Sequence, residues 1–109
     1  MKRVGDPTSK NKVICLHGGP GMDDSYFLPY LQAPFQSYEL VLYTQGEASN
    51  GHDINALVAE LDNLVDQFTG NRVFLLGHSF GGALALEYLA RHGKKIAGLI
   101  LCSWLTFDT

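Results

Sequence analysis

The chain has 109 residues, 8 Lys+Arg against 11 Asp+Glu for a formal charge of −3, 46% hydrophobic residues, 12 Gly and 2 Cys. A chain this short buries roughly 65% of its unfolded surface, which suits one core and excludes two domains or a core with a large lid. The basic residues are scattered, which argues against nucleic acid as a partner, because phosphate neutralisation needs grouped Lys and Arg.

Met1 to Lys12 holds Lys2, Arg3, Lys10 and Lys12 without an apolar stretch. It reads as neither a signal peptide nor a membrane anchor, and the expected location is cytoplasmic. Lys12 to His17 is an apolar run that predicts a buried strand, ending in the breaker-rich Gly18-Gly19-Pro20-Gly21. A helix is expected next, capped by Asp23, Asp24 or Ser25, with Tyr26, Phe27, Tyr30 and Leu31 on its apolar face. Glu39 to Tyr43 reads as a second strand and Thr44 to His52 as a loop.

The strongest helix signal follows. Ile54, Leu57, Val58, Leu61, Leu64, Val65 and Phe68 recur at spacings of three and four, behind Asp53 and ahead of Gly70. Glu60, Asp62, Asn63 and Asp66 fall on its polar side. Arg72 to Leu76 predicts a third strand, Gly77 to Gly82 a turn, and Ala83 to Arg91 a helix with Leu84, Leu86 and Leu89, stopped by Gly93. Lys94-Lys95 then sit where the negative end of the helix dipole favours cations. Ile96 to Cys102 is the last strand, and Ser103 to Thr109 carries no further element. Strands separated by helices of this length imply crossovers and a parallel sheet covered on both faces, so the expected fold class is three-layer α/β with about four strands.

Cys15 and Cys102 each lie inside an apolar run, where a thiol acts as a small hydrophobe, and no metal-ligand spacing is present. The chemistry concentrates in two turns. Gly77-His78-Ser79-Phe80-Gly81 matches G-x-S-x-G and lies after an apolar strand and before a helix, where a nucleophile can be held at a sharp bend. Such a bend brings strand and helix so close that the positions two before and two after tolerate little more than hydrogen; Gly77 and Gly81 meet that need and Gly82 extends it. Ser79 would stand at a helix N-terminus, and the N–H of Phe80 is the first donor for an oxyanion. A serine that merely caps a helix after a glycine turn is the bland alternative. His17-Gly18-Gly19-Pro20-Gly21 offers a second set of exposed backbone N–H groups. A dinucleotide-binding loop is disfavoured there, because Asp24 stands where G-x-G-x-x-G needs glycine.

Together, His17-Gly18-Gly19-Pro20-Gly21 and Gly77-His78-Ser79-Phe80-Gly81-Gly82 resemble the N-terminal half of an α/β-hydrolase, and the first motif is typical of the prolyl iminopeptidase branch. The resemblance covers Lys12 to Trp104. It implies Ser79 as the nucleophile of an acyl-enzyme, the N–H groups of Phe80 and Gly19 as the oxyanion hole, and His17, Gly18, Gly21, Gly77, His78 and Gly81 as supporting turns. It also implies that the four strands lie in the order second, first, third, fourth. No cofactor or metal is called for, and the expected substrate is a peptide or small molecule whose amine or alcohol leaves.

A hydrolase triad runs Ser, then Asp or Glu, then His along the chain. After Ser79 stand only Glu87, Asp108 and His92; Glu87 lies within the helix that Ser79 precedes, and His92 lies at its far end, about 20 Å away. Three readings follow: an N-terminal portion of a longer serine hydrolase, without lid and later strands; a noncatalytic binding module on the same scaffold; or a hydrolase completed by a second copy. Both sheet edges, at Ile96 to Cys102 and at Glu39 to Tyr43, are expected to be open to pairing with another chain.

Overall fold

Runs of Val, Ile and Leu without a polar break build a sheet that is buried on both faces. The computed structural model describes residues 2–17, 37–43, 53–78 and 80–102. Over these, the order is β1 (Lys2–Gly5), β2 (Asn11–Leu16), β3 (Glu39–Leu42), α1 (Ile54–Asp66), β4 (Arg72–His78), α2 (Phe80–His92), a 3-10 turn (Gly93–Lys95) and β5 (Gly98–Cys102). The sheet order is β1-β3-β2-β4-β5, with β1 antiparallel and the other neighbours parallel. The expected order of the four parallel strands is therefore observed. The helix expected from Asp23, the loop Thr44 to His52 and the segment from Ser103 lie outside the described residues.

Alternation along the strands divides the core. Ile14, Leu16, Val41, Val73 and Leu75 face α1 and α2, joining Leu57, Leu61, Val65, Leu84 and Tyr88. Val13, Cys15, Leu40, Leu42 and Leu76 form a second buried cluster on the opposite face. The helix stripe read from spacing is the one buried, and Asp53 caps α1 by accepting from the Ala56 N–H at 3.3 Å. Gly70 takes a φ of +95° in the turn leading to β4, a conformation that favours glycine.

Three features differ from expectation. Arg72 to His78 is all strand and α2 starts at Phe80, so the anticipated broad turn from Gly77 to Gly82 narrows to the single position 79. Asp62 does not simply face solvent: it accepts from the Tyr88 hydroxyl at 2.8 Å and from Lys95 at 2.9 Å, so Lys95 ties the turn after α2 to α1. The third concerns the edge at Glu39 to Tyr43, which is not open. β1 pairs along it, Lys2 opposite Leu42 through Gly5 opposite Glu39. One apolar residue in four, Val4, gave no burial pattern to find; charge holds this strand.

Glu39 is 2% exposed and its Oε1 lies 2.7 Å from Arg3 and 2.9 Å from the Lys12 Nζ, whose own side chain is 5% exposed. Arg3 Nε adds a bond to Oε2 at 3.1 Å, and its guanidinium lies 5.3 Å from the centre of the Phe68 ring. One carboxylate thus joins β1, β2 and β3. Burial alone would raise the Glu39 carboxyl, but hydrogen bonds from Arg3 and Lys12 outweigh it and hold the group below its ordinary 4.5. A carboxyl lowered in the fold contributes stability that is complete above the unfolded value and is lost as pH falls through the folded one. Glu39→Gln should cost about 3 kcal/mol at pH 7, since it leaves Lys12 buried without its counter-charge. Urea denaturation should show the gap to the wild type shrinking below about pH 4.

Candidate active site

The site is built by backbone contact before any side chain enters. β4 ends at His78 and α2 begins at Phe80, so strand turns to helix across position 79. A Cβ placed on Gly77 would lie 2.7 Å from the Gly82 Cα and 2.7 Å from the Gly81 carbonyl oxygen, distances real Cβ atoms do not reach. One placed on Gly81 would run into the Leu16 carbonyl, 2.5 Å from its carbon, and lie 2.7 Å from the His17 oxygen. The first contact folds helix onto strand. The second presses the start of α2 against the end of β2, where the run His17 to Gly21 begins.

The carboxyl ends of β2 and β4 therefore lie side by side, Leu16 standing opposite Gly77. From β2 the chain goes to β3 on one side, and later enters β4 on the other, so this is the point where strand order reverses, the usual place for a ligand crevice in such sheets. Phe80, as the first residue of α2, has an N–H among those left without an intrahelical acceptor. His17 and His78, which follow the paired Leu16 and Gly77, are both buried. Burial pushes the His78 imidazole below its ordinary 6.5, so it is neutral at physiological pH.

Gly77, His78, Phe80, Gly81 and His17 are thus brought together, while Ser79, Gly18, Gly19 and Gly21 lie outside the described residues. His92 is not brought there. It sits twelve residues along α2 from Phe80, about 18 Å at 1.5 Å per residue, with its ring 5.0 Å from that of Tyr88. Glu87 is held by Arg91 at 2.9 Å. Leu16 is the functional neighbour that sequence reasoning missed, because its carbonyl, not its side chain, sets the packing distance at Gly81. Among the described residues no group of three His, Cys, Asp or Glu could hold a metal ion, and no helix is long and apolar enough to cross a membrane.

Gly82 behaves differently from its neighbours. Its Cα is the wall that Gly77 meets, yet a Cβ of its own would lie 3.4 Å from Leu101 Cδ2, a contact a small shift relieves. Gly77→Ala and Gly81→Ala should each destabilise by about 3 kcal/mol or more, whereas Gly82→Ala should fall within about 1 kcal/mol of the wild type, as overpacking is offset by better helix propensity. Thermal and urea unfolding of the three variants would check the contrast.

Comparison with known proteins agrees with this geometry. The profile of the α/β hydrolase family matches residues 13–109. A proline iminopeptidase of Saccharolobus solfataricus is 34% identical over 107 residues, covering 90% of this chain and 34% of its own length. One from Lactobacillus helveticus is 36% identical over 115 residues, covering 94% of this chain and 39% of its own. Among solved structures, a proline iminopeptidase-related protein from Thermus thermophilus aligns with a TM-score of 0.76 and 28% identity over 91% of this chain and 38% of that one. An esterase from Exiguobacterium antarcticum gives a TM-score of 0.75 and 27% identity over 93% of this chain and 39% of that one. The chain spans between a third and two-fifths of the length of the curated relatives it matches. The parallel order, the one-residue passage from strand to helix and the reach of the profile agree, and the chain belongs to the α/β hydrolase family.

Proposed function

We propose that this chain carries the nucleophile and the oxyanion-binding half of a serine hydrolase site of peptidase or esterase type. The observation that carries the reading is the double backbone approach at Gly77 and Gly81, which leaves position 79 as the sole residue between strand and helix. A nucleophile in such a place projects from the bend and lies next to unbonded helix N–H groups.

In this reading the Ser79 Oγ attacks the substrate carbonyl carbon, and its proton passes to a histidine base. Negative charge collects on the carbonyl oxygen, where the N–H groups of Phe80 and Gly19 stabilise it. Collapse of the tetrahedral species breaks the bond to the amine or alcohol, which leaves with the proton the histidine returns. Water then attacks the acyl-serine by the same path in reverse roles, releasing the acid and restoring Ser79. The histidine and its carboxylate partner belong to the length of the relatives that this chain does not span, since His92 and Glu87 are committed at the other end of α2. His17, Gly18, Gly21 and His78 shape the two turns. The 34–36% identity to proline iminopeptidases favours a peptidase acting on an N-terminal residue over an esterase.

A fluorophosphonate probe tests this. A protein extended to the length of its relatives should be labelled and should hydrolyse a proline aminoacyl reporter, with Ser79→Ala abolishing labelling and lowering kcat by a factor of about 10⁴ or more. Labelling that survives Ser79→Ala, or its absence from the longer protein, would remove the nucleophile assignment and leave a noncatalytic module. Labelling of the 109-residue chain alone that rises with its concentration would instead assign the missing base to a second copy.

A further inference from the structure

We propose that Asp62 is a positioning residue: with Tyr88 and Lys95 it sets the direction of α2, and through that helix it places the bend at position 79 and the Phe80 N–H. The catalytic consequence rests on the hydrolase reading above, whereas the geometry does not. α2 buries Gly81, Gly82, Leu84, Ala85 and Tyr88. Its buried face thus grows from bare backbone at the start to Tyr88, the largest fully buried side chain among the described residues, toward the far end. A helix so graded lies tilted on its sheet, close at one end and propped at the other.

Contact with the sheet leaves this helix a freedom. The approach of Gly81 to the Leu16 and His17 carbonyls is a wall, which stops the helix from coming nearer and does not choose its direction. Apolar burial of Leu84 and Ala85 is likewise non-directional. Directional bonds tie the far end of α2 to α1. The Tyr88 hydroxyl donates to Asp62 Oδ1 at 2.8 Å, Lys95 Nζ donates to the same oxygen at 2.9 Å and to Asp66 Oδ1 at 3.0 Å, and Arg91 Nη1 donates to Asn55 Oδ1 at 2.9 Å. Asp62 is the shared member. One of its oxygens holds both a side chain of the core and the turn that follows the helix, and at 23% exposed it meets less competition from water than the exposed Asn55.

The lengths decide whether this grip matters at the other end. Gly81 is the pivot, with Tyr88 seven residues beyond it and position 79 two residues before it, about 10 Å and about 3 Å at ~1.5 Å per residue. Admitting a water between Tyr88 and Asp62 takes about 2 Å, which swings the helix by about 10° and carries the bend by about half an ångström. A catalytic constellation tolerates roughly 0.5 Å and 10–20°. Loss of the Asp62 bonds therefore slows the chemistry without removing it, and leaves substrate binding nearly unchanged.

Variants of the protein extended to the length of its relatives provide the test, assayed where each is folded by circular dichroism. Asp62→Ala should lower kcat for the proline reporter about tenfold with KM within about twofold, and slow fluorophosphonate labelling to match. Asp62→Asn keeps an oxygen acceptor for Tyr88 and Lys95 and should return kcat to within about twofold of the wild type. Leu40→Val, in the cluster on the opposite face of the sheet from α2, loses stability and should keep kcat. In the 109-residue chain, the amide resonances of Gly81 and Gly82 should move in Asp62→Ala and return in Asp62→Asn. Asp62→Ala with wild-type kcat, or a loss that Leu40→Val shares, overturns the proposal, as do Gly81 and Gly82 resonances that stay in place. A wild-type protein that is not labelled removes the hydrolase reading instead, and the amide resonances then decide the geometry alone.

Discussion

Everything at the functional end of this molecule depends on a helix being allowed to touch two strands with bare backbone. Gly81 rests on the carbonyls of Leu16 and His17, and Gly77 rests on Gly81 and Gly82. Side chains ordinarily keep a helix about 10 Å from a sheet, and the approach seen here is closer than any Cβ permits. The gain is geometric: α2 brings its N-terminus to the carboxyl ends of β2 and β4, so helix N–H groups lie where the strand order reverses.

The opposite end of the sheet solves a different problem. There Glu39 draws Lys12 and Arg3 together and binds three strands, one of them too polar to be held by burial. The Coulomb attraction is offset by the desolvation of Lys12 and Glu39, so the cluster's value lies in register more than in net stability. Glu39 accepts from Arg3 on β1 and from Lys12 on β2, and the Arg3 contact favours β1 in its place beside β3. A charged strand on that margin also resists pairing with other chains. Register at one end and a tight bend at the other leave the parallel strands little freedom to slide, which a site divided between two strand ends requires.

Much of this was legible in the residues. The spacing of Leu57, Val58, Leu61, Leu64 and Val65 specified the buried face of α1, and continuous apolar runs specified parallel strands, because both signals follow from burial. The G-x-S-x-G pattern located the bend, since glycine at two fixed offsets has a steric cause. β1 was not legible: its place depends on a side chain 36 residues away, which no local pattern carries. Nor was the double role of Asp62, whose polar position on α1 is the same whether it meets water or Tyr88 and Lys95. The Leu16 carbonyl escaped for a further reason, as every residue has one, and only the fold decides which carbonyl a glycine must approach.

The two ends of α2 do different work. Its N-terminus offers unpaired N–H groups and the bend; its C-terminal end spends its polar residues elsewhere. Glu87 is bound to Arg91, and His92 lies tilted against the Tyr88 ring near Asp62, whose carboxyl is held below its ordinary range first by the Lys95 hydrogen bond. Burial and that same carboxylate push the Tyr88 hydroxyl far above its ordinary value, so it stays a donor to Asp62 at any physiological pH. An acid and a histidine thus follow Ser79 in the order a triad takes along the chain, yet the helix rise carries them to the far end of α2. Sequence order alone would admit them. The length of a thirteen-residue helix keeps them from the bend, so a hydrolytic site at position 79 would take its base from another part of the fold.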